Sequence, residues 1–416
     1  VRPEDVDLAW QEEGGQLLRM RQSAVRWQSR SAELAVARGE LSETPALAGP
    51  ALELLDHLPP TPERGAYELA LQMLLGLSFS ATRGYAAPEA GEAYERAREL
   101  CQQAEDAPQL FPVLFGLWAF YLVRGELRTA RQLADRMLAL ARSAGDPALT
   151  VEAENMLGAT LYFHGELGEA RKHHTAALSL YDPEIHHAHA FEYGQDPGVL
   201  SLANQALVEA VLGLDSESVR SSDQAIALAR RLNHSFSLVF ALVLGAVLAQ
   251  FRGDTTTTAE RAQEALNHAS EHGWAIAEQG RPQEGAAMMH EGIGACKAMG
   301  AGLIQPYLIS LLAETYIGTP EVLEGVSLLN DALHECERRG EHLWEADLLR
   351  QRGRLQLSIG QDSEAEISFR RGLDIAIRQG ARLFQARLET EMDAAAGAAS
   401  SGAGLPDLCV SDSDVE

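Results

Sequence analysis

Lysine is almost missing from this chain: Lys172 and Lys297 are the two that occur in 416 residues. With 34 basic residues against 60 acidic ones the formal net charge is -26, so the surface repels phosphate backbones and anionic headgroups. That balance argues against nucleic-acid binding and against docking on a membrane. Cysteine is sparse: Cys101, Cys296, Cys336 and Cys409 form no CxxC pair, and a reduced, cytoplasmic protein is the simplest reading. The chain opens Val-Arg-Pro-Glu-Asp with no initiator methionine and no signal-like apolar segment, and so reads as a fragment of a longer polypeptide. No apolar run reaches the roughly 20 residues a membrane span needs. The longest candidate, "FSLVFALVLGAVLAQF" from Phe236 to Phe251, is uncharged over 16 residues but reads as a helix buried between neighbours. Catalytic signatures are missing as well. There is no G-x-x-x-x-G-K-[ST] loop, neither lysine follows a glycine-rich turn, and no helix carries H-E-x-x-H.

What is present is helix-forming residue types, Ala, Leu, Glu, Arg and Gln, arranged with a rhythm. Short breaks resemble one another: "VRGELRTA" (123–130), "FHGELGEA" (163–170), "LGLDSESV" (212–219), "FRGDTTTT" (251–258), "EQGRPQEG" (278–285), "YIGTPEVL" (316–323) and "SIGQDSEA" (359–366). In each a glycine suits the left-handed end of one helix, and the polar residues after it suit the start of the next. The glycines are Gly125, Gly165, Gly213, Gly253, Gly280, Gly318 and Gly360, spaced 40, 48, 40, 27, 38 and 42. A second set of breaks at Gly145, Asn233, Gly273, Gly300, Gly340 and Gly380 closes the units. Between breaks, apolar residues fall at intervals of three and four, as in Ala130, Leu133, Ala134, Met137 and Ala141. The pattern predicts an all-α array of about nine stacked helical hairpins with a period near 40 and a terminal helix over 381–396.

Two intervals depart from the period. The spacing of 27 between Gly253 and Gly280 predicts a repeat near 274–300 whose first helix is truncated to about Trp274–Glu278, with a pinch or kink in the array there. The spacing of 48 between Gly165 and Gly213 carries an insertion, 181–200, bounded by Pro183 and Pro197 and read as a loop with a short helical turn. The N-terminal part, 1–105, fits the period loosely as two hairpins, the array proper occupies 106–395, and the acidic tail 396–416 is expected to be disordered.

These hairpins resemble tetratricopeptide repeats. In 151–178, Leu157-Gly158, Tyr162, Gly165 and Ala170 fall on the motif's positions; in 350–376, Gly353, Gly360, Ala365, Phe369 and Ala376 do so. The length near 40 departs from the family's usual 34. The resemblance implies a right-handed α-solenoid. A narrower resemblance rests on "TRGYAAPEA" (82–90), "QLFPVLFGLWAFYLVRGEL" (109–127) and "HAHAFEYGQDPGV" (187–199). These strings are similar to the C-terminal repeat region of bacterial signalling proteins that carry a class III adenylate/guanylate cyclase domain and then an AAA-like, STAND-type ATPase. That implies a regulatory arm, itself non-catalytic and without a cofactor, next to an upstream ATPase/cyclase module, with a protein or peptide partner in its concave groove. Alternative readings are the sensor arm of a large LuxR-type ATP-dependent transcription regulator, a free-standing assembly scaffold, or a metal hydrolase around the histidine-rich loop.

Candidate sites follow. His186, His187 and His189, with His173, His174 and nearby carboxylates, have ligand types but no helix-borne motif, so a hydrogen-bonded loop is the default and a metal site the weaker reading. Trp118, Tyr121, Tyr162, His189, Tyr193 and Asp196 are candidates for a groove wall; at helical spacing such rings serve equally as core. Asn155, Asn204 and Glu209 are polar positions on first helices that read either as groove or as ordinary exposed residues. Glu166 and Glu169 at a helix start suit the helix dipole better than acid–base chemistry.

Overall fold

A computed structural model describes residues 3–37, 41–103, 110–186, 189, 193, 195–266, 293 and 301–401. Among them are eighteen helices and no strand. The chain divides into two compact units, one formed by 1–124 with 299–301, the other by 125–298 and 302–416.

In the first unit α1 (Pro3–Ala37) pairs with α2 (Thr44–Asp56), α3 (Pro62–Arg83) pairs with α4 (Pro88–Gln103), and α5 (Leu110–Val123) follows. Val25, Ala32, Ala48, Ala51, Leu55, Leu71 and Leu75 form its core. Close approach depends on glycine: a Cβ on Gly76 or Gly116 would come within 2.7 or 2.4 Å of the Tyr94 ring, which lies between α3 and α5.

The second unit begins with α6 (Leu127–Ala144), α7 (Pro147–Phe163) and α8 (Leu167–Leu180). A single turn, α9 (Pro183–His186), lies in the insertion. Next come α10 (Pro197–Val211), α11 (Asp215–Leu232), α12 (Ser235–Phe251) and α13 (Thr255–Leu266). The last five are α14 (Gln305–Glu314), α15 (Val322–Arg339), α16 (Glu345–Ser358), α17 (Asp362–Gln379) and α18 (Arg382–Ser401). The final helix thus continues past Ala396 to Ser401. The short repeat expected near 274–300, with Gly273, Gly280 and Gly300, lies outside the described residues apart from Ile293, as do His187 and 402–416.

Local chemistry explains the punctuation. Gly125, Gly165, Gly213, Gly253, Gly318 and Gly360 all take φ between 71 and 77°, the left-handed region that glycine enters without a Cβ penalty. Helices ending at Gly145, Gly340 and Gly380 close in the same way, and Asn233 does so at φ 52° without being glycine. Capping is more selective than the sequence suggests. Asp146 and Asp196 accept from backbone N–H groups of α7 and α10, while Glu126 and Glu166 make no such bond. Glu166 turns instead to Arg131, 3.2 Å away.

Within the second unit the first helix of each hairpin packs against the first helix of the next: α7 on α10, α10 on α12, α14 on α16, α16 on α18. Second helices make no comparable contact with one another among the described residues. The first helices therefore line the inner, tighter side of the stack. Segments distant in sequence also meet in this unit. The N–H groups of His342 and Leu343 donate to the Phe163 carbonyl at 3.1 and 3.2 Å, Gln379 donates to the His342 carbonyl at 2.7 Å, and Arg387 to the Phe251 carbonyl at 2.7 Å. Tyr307 and Trp344, with centroids 5.0 Å apart, close the same junction against Phe251 and Phe384. Burying each ring contributes on the order of 1.5–3 kcal/mol.

Candidate functional site: the inner faces of the first helices

On the inner side of α14, α16 and α18 a charged ladder crosses three consecutive first helices. Arg350 donates to Asp347 at 2.9 Å on its own helix, lies 3.5 Å from Glu314 of α14 and 3.3 Å from Glu391 of α18. One turn further along α16, Arg354 reaches the same two carboxylates at 3.3 and 3.1 Å. Ser310 donates to Asp347, and Gln351 donates to Glu314. These positions coincide because α14, α16 and α18 are in register at the period: Tyr307, Asp347 and Arg387 are 40 apart, as are Glu314 and Arg354.

Ionisation follows from this mutual pairing. Burial pushes the Asp347 carboxyl up, but the charges of Arg350 and Arg387 and the Ser310 hydroxyl outweigh it and hold the group below the usual carboxylate range. Burial likewise lowers Arg350, and the carboxylates of Asp347, Glu314 and Glu391 more than reverse it. The ladder is sealed at one end and open at the other. The Arg350 and Asp347 side chains are 7 and 8% exposed, while Arg354, Glu314 and Glu391 are 24, 27 and 22% exposed. The open end presents parts of two carboxylates and a guanidinium whose positions are fixed by their mutual pairing.

A second polar layer lies on α7 and α10. His189, from the insertion, meets Glu152 of α7 at 2.9 Å, with the Tyr193 ring edge-on at 5.4 Å and His186 at 5.5 Å. His186 stacks on Tyr181 at 5.7 Å and its Nδ1 hydrogen-bonds the Asp182 backbone at 2.8–2.9 Å. The Tyr181 hydroxyl donates to Asp196 at 2.9 Å, while the Asp196 N–H donates to Ser237 of α12 at 3.0 Å. Asn155 and Glu209 are buried and bonded, not exposed: Ser201 donates to Asn155 at 3.1 Å, and Ser221 and Gln205 donate to Glu209 at 2.8 and 2.9 Å. Asn204 is buried too. His173 sits 2.5 Å from Glu154; burial raises that carboxyl, and His173 and Arg142 together bring it below its usual range.

The residues singled out in the sequence are therefore distributed. Trp118 and Tyr121 belong to the first unit, Trp118 buried beside Phe115 at 5.9 Å and the Tyr121 hydroxyl donating to Glu95 at 2.8 Å. In the second unit His189 and Tyr193 come together. Tyr162 is buried in the α7 core against Phe163, and Asp196 caps α10. Among the described residues no group of three or more His, Cys, Asp or Glu could hold a metal ion. The ladder was not singled out from sequence. Its signal was there, as charged residues at i, i+3 and i+7 on α16, with Glu314 one period before Arg354 and Arg387 one period after Asp347, but only the stacking of neighbouring hairpins turns that into a cluster.

No family model matches the chain. It is 25% identical over 360 residues to the uncharacterized protein R02095 of Rhizobium meliloti (strain 1021), a match covering 82% of this chain and 35% of that protein. The chain thus spans about a third of the length of the curated relative it matches. Among solved structures it is similar to a Rap protein complexed with Competence and Sporulation Factor, with a TM-score of 0.56 and 12% identity over 85% of this chain and 98% of that one. It is also compared with the apo form of RapI, at a TM-score of 0.48 and 13% identity over 74 and 99% of the two chains. The Rap likeness and the hairpin stack define the class: an all-α, tetratricopeptide-like solenoid. No helix is long and apolar enough to cross a membrane among the described residues, and α12, the uncharged Phe236–Phe251 run, packs between α10, α11 and α13.

Proposed function

We propose that this chain is a non-catalytic recognition arm that takes an extended polypeptide segment on the inner face of its first helices and regulates an attached ATPase/nucleotide-cyclase module. The ladder of Asp347, Arg350, Arg354, Glu314 and Glu391 is the observation that carries the reading. Its charges are fixed by one another before any ligand arrives, and preorganisation of this kind lowers the ordering cost of binding. The similarity of the fold to a Rap protein in complex with a factor supports ligand recognition. A relative of which the match covers 35% supports the presence of further modules in the parent protein, and the resemblance of 82–90, 109–127 and 187–199 to cyclase-linked repeat regions supports their kind. Occupation of the inner face biases the curvature of the stack, and through it the attached module.

The test has two readouts. Peptide-display selection on the chain is expected to enrich a common sequence whose binding falls roughly tenfold or more with Arg354→Glu and is unchanged by Arg370→Glu on the exposed face of α17. No enrichment, or equal loss with both variants, overturns the groove. Nucleotide turnover by the full-length parent, with and without the enriched peptide, then tests regulation; identical rates with bound peptide leave a recognition scaffold in place of a regulatory arm.

A further inference from the structure

Helix α1 has two apolar faces, and its hairpin uses one of them. Leu18, Val25 and Ala32 turn toward α2 and α3. On the other side Leu17, Met20, Trp27 and Leu34 are 49, 63, 69 and 41% exposed. With Ala24 and Ser31 between them, the stripe 17–20–24–27–31–34 alternates steps of three and four, the a/d seam of a coiled coil. Ser31 does not interrupt it, because its hydroxyl donates to the Trp27 carbonyl at 2.9 Å. Such a face on a surface helix marks a contact with something else.

Charge says with what. Residues 16–36 hold four arginines, Arg19, Arg21, Arg26 and Arg30, and one carboxylate, Glu33, in a chain whose net charge is -26. Arg21 and Arg30 fall on the e and g positions that flank the seam, where charge selects the partner helix. Glu33 is tied to Arg30 at 2.9 Å. Laid in parallel and in register, a second copy of α1 would set Arg21 against Gln16 and Arg30 against Ala35, with a carboxylate for neither, and an anionic membrane would face the repulsion of the whole acidic chain. We propose that this face docks an acidic amphipathic helix of a partner protein, laid along α1 in heptad register with Trp27 as its central anchor. From Leu17 to Leu34 the seam is about 26 Å long at ~1.5 Å per residue, close to five turns.

The test titrates the whole chain with two labelled three-heptad peptides, both with Leu at a and d, one with Glu and one with Lys at e and g. The Glu peptide is expected to bind roughly tenfold or more tightly than the Lys peptide, and more weakly as salt rises. Arg21→Glu with Arg30→Glu reverses the preference, and Trp27→Ala weakens binding of the Glu peptide roughly tenfold. Circular dichroism and the thermal midpoint stay at their starting values, since these side chains face solvent. Equal affinity for the two peptides, no binding of either, or a charge reversal without effect overturns the proposal. So does a dimer in sedimentation that Trp27→Ala dissolves, or phosphatidylserine vesicles bound through the same residues.

Discussion

Glu341 occupies the residue after the closing glycine of α15, where the next repeat has a fully buried Ala381 after Gly380. Both of its carboxylate oxygens are buried without a hydrogen-bond partner, and burial holds the group well above the usual range. Below the ordinary carboxylate range the folded and unfolded chains are both protonated there and nothing is lost; as pH rises the unfolded chain ionises first and stability falls. Glu341→Met is therefore expected to raise stability by about 1–3 kcal/mol, with a larger gain at pH 8 than at pH 5 in paired thermal melts. His174 is the opposite case. Neither ring nitrogen has a partner, and burial pushes its pKa down to about 3. The imidazole is neutral in the fold, so its contribution is complete above the ordinary histidine range and drains away as the unfolded chain takes up protons on acidification. His174→Leu should flatten the pH dependence of unfolding between pH 7 and pH 5; an unchanged slope contradicts the burial of this ring. Glu341 does not stand out in the sequence, and His174 does so there only as one of a histidine cluster, because a polar letter in an apolar register acquires its meaning only once its neighbours close around it.

Hairpin packing is set by glycine facing a ring. On α16 a Cβ at Gly353 would approach Phe369 of α17 to 2.4 Å. Gly353→Ala is expected to cost about 1–3 kcal/mol as an overpacked contact, and much less in a Phe369→Leu background; equal costs in both backgrounds would place the strain elsewhere. Asn233→Ala should cost about 1–2 kcal/mol, since alanine lacks the local hydrogen bonding that lets asparagine enter the left-handed region. These elements were the legible part of the sequence. Gly158, Gly353, Ala170 and Ala365 fall on motif positions, the breaks among the described residues coincide with positive φ, and Pro183 and Pro197 open α9 and α10 at the two ends of the insertion. The charged ladder was not legible. A helix presents Asp347, Arg350 and Arg354 to one side by its own period, but whether that side meets water, lipid or Glu314 and Glu391 is decided by helices forty residues away.

At the scale of the second unit, repeat arrays hold together by contacts between adjacent hairpins, and their stability is close to a sum of neighbour terms. Here the Phe163 carbonyl is bonded by His342 and Leu343, and the Phe251 carbonyl by Arg387, so distant hairpins are bound directly. Hydrogen exchange should find the His342 and Leu343 amides protected nearly as well as the helix centres. Removing 382–416 should expose amides at the end of α12, more than a hundred residues earlier; exchange there that ignores the deletion would contradict the junction. The same bonds bear on how the protein is made. Phe163 leaves the ribosome roughly 180 residues before its partner amides exist, a wait of about 9–36 s at ~5–20 residues per second. During that interval the ends of α7 and α12 offer bare carbonyls and aromatic rings to the cell, and a nascent chain stalled in this window is the form on which chaperones would be expected to act.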